Sequence, residues 1–337
     1  MIKNILLKVV NKKRLIEKDV LTFEKKLFVH IPKTAGTSFR KALEGSSEVC
    51  RDYGKQAQET SALIREAVYQ EGDHFKAYED FVASTNEWLC GHFPLNKYLN
   101  WFSARNVVVF LRDPIEQVLS HYNHFVRYND FQGDFTAFYK KPLARNLQSK
   151  HTSGLPIALL GMVGITEQYS DSLDMINTQF EADYVVRKSN VNDAKVLTDS
   201  SLSMEVRSQL AQQLEQDIKL YKQAYDMLTY RKEIESTGEE WCHAVAHLNP
   251  NFVLAGCAFF SKSNESVKFD LLKNGKVIKR FAAKGFYGQH PRANFPRNRY
   301  IGFRVSLAES IKVEDTLELV VRSTKQSIPI GLPLKSA

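Results

Sequence analysis

Two short stretches are apolar at almost every position, and both end in a polar loop followed by a helical pattern. Leu27 to Ile31 (LFVHI) predicts a buried strand that stops at Pro32, runs through the small-residue loop PKTAGTS and enters a helix near Phe39. Val107 to Leu111 (VVVFL) predicts a second one. It ends in Arg112-Asp113-Pro114, and Val118, Leu119, Tyr122 and Phe125 then recur at helical spacing through Tyr128. Strands buried on both faces and followed by helices predict a parallel sheet flanked by helices, whose ligands sit at the carboxyl ends of the strands.

Farther along, residues 202–235 predict one long polar-faced helix, with Leu210, Leu214, Ile218, Tyr221 and Tyr225 on its apolar side. The pattern changes after Asn249-Pro250. Short strand-like runs follow (FVLAGCAFF, VKFDLL, VIKRFAA, YIGFRVSL, DTLELVV), and Asn274-Gly275 predicts a type I′ hairpin turn between two of them. The expected organisation is a basic lead-in over 1–24, an α/β domain with a P-loop-like parallel sheet over 25–240, and a small sandwich-like β domain over 249–337.

With 337 residues, 43% hydrophobic and 25% charged, the chain has the balance of a globular protein. A net charge of +8 points to anionic partners. Four scattered cysteines with no CxxC pair suggest neither a zinc cluster nor a disulfide framework. Neither a signal peptide nor a transmembrane helix is predicted, so the expected setting is soluble and cytoplasmic, with membrane-surface association through the basic lead-in as an option.

The PKTAGTS loop is the strongest local sign of chemistry. Small residues between a buried strand and a helix let backbone N–H groups close around a phosphate at the positive helix end. It is not a GxxxxGK[ST] loop, because Lys33 precedes Gly36 and no glycine stands at the required earlier spacing. A kinase would also need a carboxylate to hold Mg²⁺, for which Asp113 is the obvious candidate.

HIPKTAGTSF resembles the 5′-phosphosulfate loop of sulfotransferases that use 3′-phosphoadenosine 5′-phosphosulfate (PAPS), particularly the carbohydrate, heparan-type 2-O-sulfotransferase group. The resemblance implies that Lys33 contacts the phosphosulfate bridge, while Thr34, Ala35, Gly36, Thr37 and Ser38 form the cradle. FLRDPIEQVLSHYNHF is similar to the 3′-phosphate motif, which implies donor contacts from Arg112 and Ser120; relatives often carry arginine where Gln117 stands. CGHFPL implies His92 as the catalytic base, with Lys33 assisting catalysis. Two further stretches, at 144–154 and 163–176, extend the likeness and put Asn146, Gln148 and Lys150 beside the acceptor or nucleotide. The Ser149-Lys150 pair stands where relatives have threonine and arginine. Glu167 is read as a structural ion-pair partner.

What the resemblance implies is sulfuryl transfer from PAPS to a hydroxyl of a carbohydrate acceptor, with no metal and no nucleic acid. The alternatives are a non-catalytic polyanion- or glycan-binding protein and a nucleotide-dependent kinase. His30 reads as structural beside the loop, and His121 and His124 as possible nucleotide or acceptor contacts rather than metal ligands. In WCHAVAHL the histidines His243 and His247, at i and i+4, would share one helix face; with Cys242 they are read as a linking segment rather than a metal site. The stretch from Lys284 to Arg304 carries five Lys or Arg residues, several aromatics and no acid. Such a segment suits an anionic sugar chain or single-stranded nucleic acid, or is a solvated loop.

Overall fold

The structure is a computed structural model that describes residues 25–186, 197–308, 310–312 and 314–331. The basic lead-in of residues 1–24 lies outside them.

Five strands form one sheet: β1 (Lys26–Val29), β2 (Val49–Asp52), β3 (Trp88–Gly91), β4 (Val107–Leu111) and β5 (Met162–Ile165). Their order is β2-β3-β1-β4-β5 and every pair is parallel. This is the predicted parallel α/β architecture. β1 lies at the centre, so the loops leaving β1, β3 and β4 emerge side by side. Helices α1 (Gly36–Leu43), α2 (His74–Ala83), α3 (Pro114–Tyr128), α4 (Phe135–Tyr139), α5 (Leu147–Thr152) and α6 (Tyr169–Phe180) connect and cover the strands. Four of the five strands are only four residues long, too short to show a period of their own. Gly91 is required where it stands, since a Cβ there would fall 1.8 Å from the Asp52 carbonyl on the neighbouring strand.

The predicted long helix is two: α7 (Met204–Gln213) and α8 (Glu215–Ser236), broken at Leu214. Leu210 and Leu214 are buried in a cluster with Val118, Leu119, Tyr122 and Phe138, whereas Tyr225 is exposed, contrary to the predicted apolar face. After the break, α8 turns Asp217 and Arg231 into the protein instead. Arg231 donates to the Gly161 carbonyl and to Gln179 Oε1, both at 2.7 Å, and pairs with Glu235. A helix whose buried side carries charge defeats a reading based on hydrophobicity.

From Cys242 onward the chain builds two four-stranded sheets. β6 (Cys242–Leu248), β7 (Val253–Phe260), β10 (Gly302–Ser306) and β13 (Ile330–Gly331) are ordered β10-β7-β6-β13; β8 (Lys268–Lys273), β9 (Lys276–Ala282), β11 (Leu317–Val321) and β12 (Ser327–Ile328) are ordered β12-β11-β8-β9. Leu254, Phe269, Phe303 and Leu319 meet between them. Asn274 and Gly275 both have positive φ, as a type I′ turn requires. The helical reading of 242–248 is corrected: this segment pairs with β7 along its whole length. Strand geometry turns Cys242 and His243 to opposite faces, which separates two of the three residues considered as metal ligands.

The α/β part and the β part share packing. Cys257, Phe259 and Phe295 belong to the larger core, and Arg105 donates to the carbonyls of Lys262 and Ser263.

Candidate active site

The loop after β1 is held in an unusual shape. Lys33 and Ala35 both have left-handed backbone, with φ of 68° and 62°, a conformation that non-glycine residues adopt at a cost of about 1–3 kcal/mol each. Three contacts hold it. The Thr34 hydroxyl donates to the Ile31 carbonyl at 3.0 Å, Gln117 Nε2 donates to the Pro32 carbonyl at 2.9 Å, and Arg112 Nη1 reaches the Lys33 carbonyl at 3.3 Å. The Thr34 side chain is therefore spent inside the loop, and only its backbone remains for a ligand. Gly36 opens α1, Thr37 is exposed at its first turn, and Ser38 follows half-buried.

Arg112 leaves the end of β4 beside this loop. Its backbone N–H donates to Gln148 Oε1 at 2.9 Å and its carbonyl accepts from Gln148 Nε2 at 2.8 Å, so one buried amide grips both sides of the residue. Its guanidinium also pairs with Glu116 at 3.2 Å and lies 3.9 Å from Glu167. Ser120 is half-buried at the end of the second turn of α3, whose N-terminus is capped by Asp113.

His92 follows Gly91 at the end of β3. Its ring meets His30 at 4.4 Å and Tyr53 at 4.7 Å between centroids. His30 is buried, and its Nδ1 shares a 2.9 Å hydrogen bond with the Tyr53 hydroxyl. Loop, arginine and histidine thus stand at one edge of the sheet.

That edge is crowded with positive groups. Surrounding protein, then His151 and Arg40, push the His92 imidazole down to about 4, although one side of the residue stays open to solvent. Burial, followed by Lys33, His124 and His92, pushes His121 down to about 4 as well. Lys33 is lowered by burial and by Arg112 and Arg127. His121 Nδ1 is buried without a hydrogen-bond partner among the described residues. Basic groups whose charge is disfavoured by burial and by one another would be relieved by a ligand carrying several negative charges. The residues present therefore fit a polyphosphate-type ligand.

The second stretch of expected contacts makes hydrogen bonds within the protein. Gln148 is fully buried as the clamp on Arg112, Asn146 Oδ1 accepts from the Asp217 N–H at 3.2 Å, and Lys150 Nζ donates to the Pro142 carbonyl at 3.0 Å. Both ends of the Gln148 amide are used on Arg112, whereas Asn146 and Lys150 each make one described side-chain bond. Glu167 accepts from the Asp113 N–H and the Tyr221 hydroxyl, both at 3.1 Å.

Sequence reasoning misses Tyr53 and Asp217, and reads Gln117 only as the lack of an arginine contact rather than as the tie to the Pro32 carbonyl. Asp217, buried on α8, accepts from Gln148 N at 3.1 Å, Ser149 N at 2.7 Å and Ser149 Oγ at 2.6 Å. Below Tyr53, Asp52 accepts from Lys97 at 2.6 Å and from Tyr69 and Tyr98 at 2.8 Å. Burial opposes the Asp52 charge, but these hydrogen bonds outweigh it and hold the carboxyl below its ordinary range.

The fold defines an α/β protein with a parallel sheet, and its strand–loop–helix edge gathers basic side chains. No protein-family model matches the chain, and no curated protein matches it. Among solved structures it is similar to a sulfotransferase from Alicyclobacillus acidocaldarius. The identity is 12% over 59% of this chain and 94% of that one, with a TM-score of 0.34.

Proposed function

We propose that the protein is a sulfotransferase that moves a sulfuryl group from PAPS to a hydroxyl of a carbohydrate acceptor. The observation that carries this reading is the joint position of the Lys33 loop, Arg112 and His92 at adjacent strand ends, among basic groups whose protonation burial, and then their neighbours, disfavour.

The backbone from Lys33 to Ser38 would hold the 5′-phosphosulfate, with Lys33 beside the bridging oxygen. Arg112 and Ser120 would hold the 3′-phosphate, a task suited to the forked guanidinium. His92, neutral at pH 7, takes the proton of the acceptor hydroxyl as its oxygen attacks sulfur. The sulfur–oxygen bond to the 5′-phosphate breaks, and Lys33 balances the charge that develops on that phosphate. His30 and Tyr53 orient the His92 ring.

A kinase is disfavoured by what Asp113 does. Its carboxylate accepts from the N–H groups of Ile115 and Glu116, both at 3.0 Å, as a helix cap. A binding protein without turnover is separated from the transferase by His92→Ala, which would leave its behaviour unchanged.

The deciding experiment is calorimetry with PAP (the desulfated donor), ADP and Mg²⁺–ATP on wild type and Arg112→Ala. Metal-independent PAP binding far tighter than ADP binding, and lost in Arg112→Ala, supports the reading. Equal affinity for PAP and ADP, or none for either, overturns it.

A further inference from the structure

The β part carries a cleft of about 490 Å³, a size typical of small-ligand sites, away from the strand ends of the parallel sheet. His247, Ala255, Phe281, Phe286, Gln289 and Arg304 line it, and among the described residues no lining residue is acidic.

Its geometry follows from strand register. Ala255 on β7 is paired with His247 on β6 and with Arg304 on β10. Residues paired across a sheet point to the same face, so an imidazole and a guanidinium flank a small flat residue, about 10 Å apart across two strand spacings. His247 and Arg304 are both exposed.

One wall is an aromatic ring that the fold takes care to present. Gly285 and Gly302 exchange backbone hydrogen bonds of 2.8 and 2.7 Å, which fix the chain just before Phe286. The Arg299 guanidinium lies 6.0 Å from the Phe286 ring centre, and Tyr300 meets that ring edge-on at 5.9 Å. Arg299 is itself anchored, donating to the carbonyls of Tyr287, Ala293 and Gln289. Yet Phe286 remains 64% exposed and Tyr300 54%. Large aromatics held rigid and left in water next to a basic cleft mark a binding surface.

We propose that this cleft binds an acidic saccharide. The C–H face of a sugar ring stacks on Phe286, its carboxylate or sulfate pairs with Arg304, and its hydroxyls take hydrogen bonds from His247 and Gln289. Single-stranded nucleic acid fits less well, because it needs successive parallel stacking platforms, and Phe286 and Tyr300 stand at 70° to one another. The inference does not depend on the transferase reading, since none of its residues belongs to the strand-end site.

The test is titration of the full chain with a heparin hexasaccharide, a neutral chitohexaose and a hexathymidylate, using wild type, Phe286→Ala, Arg304→Glu and Arg112→Ala. Both cleft positions are exposed, so the fold should survive, and thermal melts check it. Expected are salt-dependent binding of the heparin fragment in preference to the other two, a loss of at least about tenfold in each cleft variant, and retention in Arg112→Ala. A loss in Arg112→Ala alone assigns the sugar to the strand-end site and overturns the inference, as does tighter binding of the thymidylate or no binding of the heparin fragment to wild type.

Discussion

Gly36 is packed against the ring of His30 so closely that a Cβ at position 36 would fall 1.9 Å from His30 Cδ2 and 2.3 Å from its Nε2. The first residue of α1 and the residue that follows β1 therefore fit only because one of them lacks a side chain. The ring cannot swing aside freely, since it is buried, bonded to Tyr53 and packed on His92.

Gly36→Ala should consequently displace either the loop or the ring and weaken PAP binding at least about tenfold, roughly 1.4 kcal/mol. His30→Ala combined with Gly36→Ala should recover part of that loss by making room. Calorimetry reads both, and wild-type affinity in Gly36→Ala would show that the loop does not hold the donor.

How much of this could be read beforehand differs from element to element. β1 and β4 are legible because their residues are apolar almost throughout, and the loop and Arg112 because their surroundings are sequence-local. The clamp on Arg112 is not, because Gln148 and Asp217 are 36 and 105 residues away in the chain and are ordinary polar residues until the fold buries them. Gln117 looks from sequence like a missing arginine contact, whereas its amide ties down the Pro32 carbonyl. Strand β6 is misread because histidines at i and i+4 suit a helix face as well as one face of a strand.

Asp217 should support both the fold and Arg112. Asp217→Ala leaves the N–H groups of Gln148 and Ser149 unpaired in the interior, where each such group costs roughly 1–3 kcal/mol, so a total of about 3 kcal/mol is expected in denaturant melts. Ser149→Ala removes only the hydroxyl bond and should cost about 1 kcal/mol. If Asp217→Ala melts like wild type, the carboxylate does not hold the 146–149 turn.

Stability and binding should both depend on pH through the histidines. His92 and His121 are held down to about 4, whereas in an unfolded chain each titrates near 6.5. Between those values the unfolded chain binds protons that the folded one refuses, so stability is complete above about pH 6.5 and falls as the pH drops towards 4. A polyanion raises both values, so PAP binding at pH 6 should take up protons and at pH 8 should not. Calorimetry in two buffers of different ionisation enthalpy measures the uptake, and identical heats at pH 6 would contradict the cationic cluster.

His92→Ala should separate chemistry from binding. With the base gone, turnover should fall by about 10²–10⁴-fold while PAP affinity changes little. In the wild type, the acid limb of kcat/KM, which reports the free protein, should lie near pH 4; that of kcat should lie higher, because bound donor raises the imidazole. A limb at the same pH in both profiles, or undiminished turnover in His92→Ala, would remove His92 from the role of base.

Gln117 offers the sharpest contrast between what a phosphate site wants in general and what this one tolerates. Its amide is buried and makes a single described bond, to the Pro32 carbonyl, so Gln117→Leu keeps the volume and leaves one acceptor unpaired, at a cost of about 1–3 kcal/mol. Gln117→Arg adds a supporting cation in principle, but it places a further buried positive charge beside a lysine that Arg112 and Arg127 already depress. Without ligand, Gln117→Arg should therefore melt lower than Gln117→Leu, and saturating PAP should raise its melting temperature more than it raises that of wild type, because the ligand's charge compensates the added one. Equal ligand-induced shifts in Gln117→Arg and wild type would mean that position 117 does not feel the bound anion.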